Sequence, residues 1–184
     1  MIDQLDKNDQ LDKNVAQRPT DPEAARVWDV VGTVCDPEIP VLTLIDIGIL
    51  REVLIASDGT PQVILTPTYS GCPAMDTIKA DVEQALREAG YERFEVTMAL
   101  APAWTTDWMT PAGRKKLEEY GIAAPSGKAA VGMQRGPKRL TLAIRCPRCG
   151  SIKTNELSRF GSTACKALYQ CANCKEPFDY FKVH

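Results

Sequence analysis

Two Cys-x-x-Cys pairs constrain this chain more than any other feature of its sequence. Cys146 and Cys149 form the first pair, Cys171 and Cys174 form the second, and 21 residues separate the pairs. Each pair suits a tight turn whose amides face the sulfurs, and four thiolates complete a tetrahedral zinc shell. A segment of about forty residues buries too little apolar surface to fold without such a crosslink. The pairs therefore predict a zinc ribbon over 140–184.

Cys165 lies between the two pairs and leaves two alternatives open. It is either a packed thiol or a further candidate ligand, in which case an iron–sulfur cluster replaces the zinc. Four sulfur ligands leave no open coordination position, so a structural metal is favoured over a catalytic one. Seven cysteines in a chain without a recognisable leader also indicate metal ligation in a reducing cytoplasm rather than a disulfide framework.

The net charge of −2 conceals two oppositely charged parts. Residues 141–184 carry 7 Lys or Arg against 3 Asp or Glu, a net charge of +4, and the remainder carries −6. A basic ribbon on an acidic body suits contact with nucleic acid or with an acidic protein surface. The aromatic residues within 176–182 either stack on bases or form the ribbon's own small core. A zinc-ribbon nucleic-acid-binding protein is therefore one functional hypothesis.

The segment before the ribbon is predicted to contain a tail, a folded domain and a linker. Residues 3–8 recur unchanged as residues 9–14, and such a polar repeat cannot offset its ordering entropy. The expected division is a disordered tail over 1–20, a domain over 21–121 and a linker over 122–139 that is rich in Gly, Ala and Pro. No apolar run approaches the roughly 20 residues of a membrane span, so a soluble cytoplasmic protein is expected.

Helix and strand signals in 21–121 predict the fold class α/β (α+β), a small domain with a mixed sheet followed by the four-cysteine ribbon. The predicted elements, in order, are a helix from a capping box at Thr20–Glu23 to about Cys35, a strand hairpin over 49–56 and 62–68, a helix from Met75 to Gly90, a third strand over 92–100 and a short helix over 110–120.

Cys72 is the candidate reactive thiol outside the ribbon. Pro73 suits the first position of a helix, which places Cys72 at or near the N-cap, where free amides favour a thiolate. The alternative is a small inert cysteine that fills a gap. Asp36 and Glu38 lie in a rigid proline-rich loop and, with Asp46, offer oxygens to a metal beside Cys72; solvated turn carboxylates are the alternative.

Other features of the sequence do not suggest an enzyme that acts by itself. His184 is the single histidine, so a catalytic triad or histidine-rich metal centre would need this last residue. No phosphate-binding glycine loop or dinucleotide fingerprint occurs. Trp104 and Trp108 are expected to cover a sheet edge, with ligand binding as the alternative.

Several motifs resemble a known protein family, over about residues 22–184. One group of motifs is similar to the domain of SufT-type iron–sulfur assembly factors. It consists of Asp36-Pro-Glu-Ile-Pro-Val-Leu-Thr43, Asp46-Ile-Gly48 and Thr66-Pro-Thr68 followed by Gly71-Cys72-Pro73. A second group of motifs is similar to the PaaD family. It consists of Pro102-Ala-Trp-Thr-Thr-Asp-Trp-Met-Thr-Pro111, Phe160-Gly-Ser-Thr-Ala-Cys-Lys-Ala-Leu-Tyr169 and Glu176-Pro-Phe-Asp-Tyr-Phe-Lys182.

The resemblance implies a role in bacterial aerobic phenylacetate degradation. The PaaD family is named as a subunit of phenylacetyl-CoA epoxidase, a multicomponent di-iron monooxygenase that forms a ring 1,2-epoxide. Similarity to assembly factors implies a role in maturing this oxygenase rather than in its turnover. The resemblance also implies that Cys72 is the functional cysteine and that the four paired cysteines are metal ligands. The implied partners are the oxygenase and reductase components and iron–sulfur assembly proteins, with neither a membrane nor nucleic acid among them.

Overall fold

Residues 15–125 and 144–183 are described by the structure, a computed structural model. The chain divides into two units, Met1–Gly113 and Arg114–His184. Most of the predicted tail, most of the predicted linker and the single histidine lie outside the described residues. No helix in the described ranges is long and apolar enough to cross a membrane.

The elements follow the predicted α/β order and end in a ribbon. They are α1 (Pro22–Val31), α2 (Leu44–Ile47), β1 (Leu50–Ile55), β2 (Pro61–Leu65), α3 (Ala74–Glu88), β3 (Glu95–Met98), a 3₁₀ turn (Thr106–Trp108), α4 (Pro111–Tyr120), β4 (Thr154–Ser158), β5 (Lys166–Cys171) and β6 (Pro177–Phe181).

A three-stranded mixed sheet forms the centre of the first unit. β1 and β2 are antiparallel, with Val53 opposite Val63, whereas β2 and β3 are parallel, with Val63 opposite Val96. These three side chains are buried. α1 contacts β1 and α3, and α3 contacts β3. The predicted hairpin and the predicted third strand are therefore confirmed.

The first helix differs from its prediction at both ends. Asp21, not Thr20, is the N-cap, because its Oδ1 accepts hydrogen bonds from the amides of Glu23 (3.0 Å) and Ala24 (2.8 Å). The helix ends at Val31 rather than near Cys35. An aspartate directly before a first-turn proline competes with the threonine for the same free amides, and sequence spacing does not distinguish them.

The two tryptophans after β3 pack inside the first unit. Trp104 is buried and its Nε1 donates to the carbonyl of Ile47 (3.1 Å). Trp108 is also buried, and the guanidinium of Arg51 lies 3.6 Å from its ring centroid. Both rings are therefore packed within the first unit, in agreement with the expectation that they cover the sheet edge.

The second unit contains an antiparallel three-stranded sheet in the order β4-β5-β6. Tyr169 on β5 stacks on Phe178 at 6.0 Å between ring centroids and meets Tyr180 edge-on at 5.6 Å. All three rings are buried, as is Phe181. The aromatic residues of 176–182 thus form the core of the ribbon and are not available to stack on bases, so the nucleic-acid hypothesis loses its aromatic support.

The division between the two units falls earlier than the predicted boundary at 121. Ala123 donates its amide to the carbonyl of Asp179 (2.8 Å), and its carbonyl accepts from the amide of Phe181 (3.0 Å), so it extends the ribbon sheet beside β6. Ile122 and Ala123 are both buried. These two residues therefore belong to the second unit rather than to the start of a linker.

Candidate functional site: a four-cysteine metal centre

Two similar turns present the four cysteines. In the first, Gly150 donates to the carbonyl of Cys146 (2.9 Å), and in the second, Lys175 donates to the carbonyl of Cys171 (3.0 Å). The residue after each pair has a left-handed backbone, with φ of 71° at Gly150 and 67° at Lys175. Such a conformation closes a tight turn and directs both sulfurs of a pair to one side.

The four sulfurs are arranged as a tetrahedral metal requires. Their Sγ atoms all lie within 4.8 Å of one another, and this is the only such group of three or more His, Cys, Asp or Glu residues in the described ranges. Cys146 and Cys174 are 3.8 Å apart, and Cys149 and Cys171 are 3.6 Å apart. Zinc–sulfur bonds of about 2.3 Å place tetrahedral sulfurs about 3.8 Å apart. The donor set therefore fits zinc and leaves no fifth ligand position.

Backbone amides stabilise negative charge on two of these sulfurs. The amide of Cys174 lies 3.5 Å from the sulfur of Cys171 and, with other amides and thiols, lowers the pKa of Cys171 to about 6. The amide of Ser151 lowers the pKa of Cys149. An amide also acts on Cys174, but desolvation and three neighbouring thiols outweigh it and raise its pKa to about 12. A divalent cation would bind all four cysteines as thiolates, and its charge would offset the repulsion between the neighbouring sulfurs.

Cys165 lies outside the group of four sulfurs. Its side chain is buried, and its sulfur is 3.0 Å from the hydroxyl of Thr163. The structure therefore supports the packed thiol and gives no geometric support to a fifth ligand.

We expect Cys165→Ser to retain the metal, because serine replaces a side chain that does not contact the centre. Metal content of the purified variant, measured by inductively coupled plasma mass spectrometry, should equal that of the unmodified protein. Cys171→Ser is the matched comparison and should lose metal. Loss of metal from the Cys165 variant would instead make Cys165 a ligand.

Cys72 lies directly before the N-cap of helix α3 and so near the cap, as predicted. Pro73 is the N-cap, and α3 has no side-chain hydrogen bond at this end. The amide of Cys72 donates to the carbonyl of Tyr69 (3.3 Å), and its carbonyl accepts from the amide of Met75 (3.3 Å). The thiol is half-buried, between exposed Gly71 and exposed Pro73. The backbone of Cys72 thus shapes the turn and leaves the sulfur without a capping role.

In the described ranges, Cys72 forms no group of three or more metal-binding side chains with Asp36, Glu38 or Asp46. Asp36 is buried and its Oδ1 accepts from the amides of Glu38 (2.8 Å) and Ile39 (2.9 Å), which closes the proline-rich loop. The side chain of Glu38 is exposed. Asp46 forms a capping box with Thr43, whose amide lies 3.1 Å from Asp46 Oδ2. Two of the three carboxylates are therefore used to hold backbone turns.

A charged pair in the ribbon, between buried Lys166 and half-buried Asp179, was not anticipated from the sequence. Lys166 is buried, and its Nζ lies 4.0 Å from Oδ2 of Asp179, which also accepts from the hydroxyl of Ser162 (3.1 Å). Both charged residues occur within family motifs, which was the only available signal. The pair holds the loop that precedes β5 against strand β6.

Comparison with known proteins identifies both units. Residues 132–182 match the family model of the PaaD zinc beta ribbon domain, and residues 24–98 match that of iron–sulfur cluster assembly proteins. A relative from Escherichia coli (strain K12), a putative 1,2-phenylacetyl-CoA epoxidase subunit, is 46% identical over 161 residues, or 88% of this chain and 93% of the relative. The chain belongs to the PaaD family. All four cysteines of the candidate centre lie within the match to the PaaD zinc beta ribbon domain.

Other similar proteins match a smaller share of this PaaD-family chain. An Fe-S protein maturation auxiliary factor from Porphyromonas gingivalis is 35% identical over 42% of this chain and 74% of the relative. The Bacillus subtilis factor YitW is 32% identical over 42% of this chain and 76% of the relative. A solved structure from Bacillus anthracis, a domain of unknown function DUF59, has 22% identity and a TM-score of 0.48, covering 52% of this chain and 91% of that chain.

Proposed function

We propose that this protein is a non-catalytic accessory factor of the multicomponent phenylacetyl-CoA epoxidase in aerobic phenylacetate degradation, and that it assists the assembly of a metal or iron–sulfur centre of that enzyme. One observation carries the proposal. A single chain joins an iron–sulfur assembly domain to a PaaD zinc ribbon and is 46% identical to a putative subunit of that epoxidase over 93% of the relative's length.

The chemistry of the ribbon supports an accessory role. Zinc bound there would crosslink the two cysteine turns, and four sulfur ligands would leave no position for a substrate or an activated water. The described residues around the centre donate the backbone amide of Cys174 and the side-chain amide of Asn173 to its sulfurs. The ribbon therefore acts as a structural module in this proposal, and the metal or cluster to be delivered is cargo of the first unit.

Cys72 is the residue that we propose handles this cargo. A half-buried thiol between two exposed residues is accessible, and its sulfur takes no part in the cap of α3. Thiolate is a soft ligand that suits iron and iron–sulfur clusters. Because Cys72 belongs to no group of three or more metal-binding side chains among the described residues, binding through it would be weak and reversible, as transfer to a client requires.

We expect the finished epoxidase to turn over without this protein. Oxygenase and reductase components purified from cells that contain the complete system should epoxidise phenylacetyl-CoA at the same rate, within about twofold, with or without added purified protein. A factor that acts during assembly has no role once the centre is in place. A rate that rises in proportion to added protein and saturates at one equivalent would show a subunit required for turnover.

A further inference from the structure

Phe160 exposes a large aromatic surface at the end of the ribbon hairpin. It lies in the loop between β4 and β5, and 67% of its surface is exposed. This fraction exceeds those of Ile152 (59%) and Leu157 (54%), the other large exposed apolar residues described in the second unit beyond α4. Phe160 belongs neither to the metal centre nor to the buried aromatic core. Exposed aromatic rings of this kind are typical of protein docking sites.

The loop that carries this ring is fixed on both sides. Within it, Gly161 donates its amide to the carbonyl of Lys166 (2.9 Å), and the ammonium of Lys182 donates to the carbonyl of Arg159 (3.3 Å). A Cβ at Gly161 would lie 2.5 Å from Oδ1 of Asp179, so the loop approaches β6 as closely as glycine allows. A surface held in this way loses little conformational entropy when a partner binds.

A cavity opens beside the exposed ring. Its volume is about 310 Å³, and its walls include Phe160, Ala167, Tyr169 and Tyr180. The two tyrosines are buried and meet edge-to-face, so these walls are rigid. Ligand pockets span roughly 300–1,000 Å³. A cavity at the lower limit, with one wall largely exposed, suits a single side chain of a macromolecular partner better than a whole cofactor.

The rim of the cavity is charged, with cations in excess. Lys182 places its Nζ 5.0 Å from the centroid of the Phe160 ring, and Arg159 also lines the cavity. The one acidic residue that lines the cavity, Glu156, accepts a hydrogen bond from the hydroxyl of Tyr169 (3.1 Å) and lies 3.9 Å from Arg159. The surrounding ribbon carries a net +4. The rim therefore attracts an acidic partner.

We propose that the cavity bounded by Phe160, Tyr169 and Tyr180 is a docking site for an acidic segment of a partner protein. The segment inserts one apolar side chain beside Phe160 and places a carboxylate on Lys182 or Arg159. The identity of the partner rests on the proposed function, which makes it the oxygenase or reductase component of the epoxidase. The inference supplies the surface and the chemistry of that contact.

Nucleic acid fits this site less well than an acidic protein segment. A single strand needs several exposed ring faces in succession, whereas Tyr169 and Tyr180 are buried and, of the rings that line the cavity, only Phe160 presents a face. A concave apolar wall with a mixed-charge rim is the arrangement of a protein-binding pocket.

Biolayer interferometry tests this inference. It measures how tightly the full-length zinc-loaded protein binds the purified oxygenase and reductase components. Phe160→Ala should weaken binding of one component at least about tenfold, as loss of an interface anchor does. Ile152→Ala is the matched control and should change binding less than twofold. Lys182→Glu should weaken binding, whereas Lys153→Glu, at an exposed lysine outside the cavity, should not. Metal content should stay unchanged in all four variants, and thermal stability should stay unchanged in Phe160→Ala, Ile152→Ala and Lys153→Glu.

Each other outcome overturns the inference. Unchanged binding by Phe160→Ala, or equal loss in Ile152→Ala, places the interface elsewhere. A 20-nucleotide single strand that binds in a Phe160-dependent manner assigns the site to nucleic acid, and self-association lost in Phe160→Ala assigns it to a second copy. If neither component binds the unmodified protein, the proposal of this docking site is wrong. The proposed function is tested separately by the rate and iron measurements on the epoxidase.

Discussion

Removal of zinc by a chelator is expected to unfold the ribbon and to leave the first unit folded. The ribbon core consists of a few side chains around Tyr169, and two of the metal ligands, Cys146 and Cys171, belong to it. Structural zinc contributes roughly 10–16 kcal/mol of apparent binding free energy to small domains, which is folding free energy. The first unit has its own buried core around Val63, and its described residues include no group of three or more metal-binding side chains.

Two-dimensional ¹H–¹⁵N NMR spectra before and after chelation measure this difference residue by residue. Amide signals of β4–β6 should collapse to the narrow range of an unfolded chain, and those of α1 and α3 should keep their positions. Re-addition of one equivalent of zinc should restore the spectrum. Dispersed ribbon signals in metal-free protein would contradict the account.

Cys72→Ser is expected to abolish epoxidase maturation while leaving the protein folded. The sulfur of Cys72 does not cap α3, so its loss should change the free energy of unfolding by less than about 0.5 kcal/mol, as at most surface sites. Serine nearly keeps the volume of the side chain but removes the soft thiolate that iron requires. Cells that depend on phenylacetate should then grow at least tenfold more slowly than cells with the unmodified protein.

Cys35→Ser provides the matched control for this variant. Cys35 is another half-buried free cysteine of the first unit, and its sulfur makes one weak contact with the carbonyl of Thr33 (3.8 Å). Growth on phenylacetate should be normal in this strain. Normal growth of the Cys72→Ser strain would show that Cys72 only shapes the turn before α3.

Local patterns in the sequence were sufficient to predict the metal centre and most elements. Three-residue spacing holds both sulfurs of a pair on one turn, whatever the rest of the chain does. The hairpin is similarly local, since Gly59 has a φ of 84° and Asp58 accepts the amide of Thr60 (3.0 Å). The four cysteines and the β1–β2 hairpin could therefore be found by reading short windows.

Long-range contacts account for what the sequence could not predict. Ala123 joins the ribbon through hydrogen bonds to β6, which is distant in sequence. The residues next to Ala123 in the sequence have the composition of a linker. The role of Asp46 stayed open because turn capping and metal binding both use carboxylates, and only the fold shows that Thr43 and Thr110 contact it. The cavity at Phe160 likewise requires three strands to come together.

The iron content of the oxygenase component tests the central claim of assembly most directly. The oxygenase should be purified from otherwise identical cells with and without this protein and its iron measured per polypeptide. The account predicts that oxygenase from cells lacking the protein contains well under half of the normal iron and regains it when the gene is restored. Full iron in the absence of this protein would contradict a role in assembly.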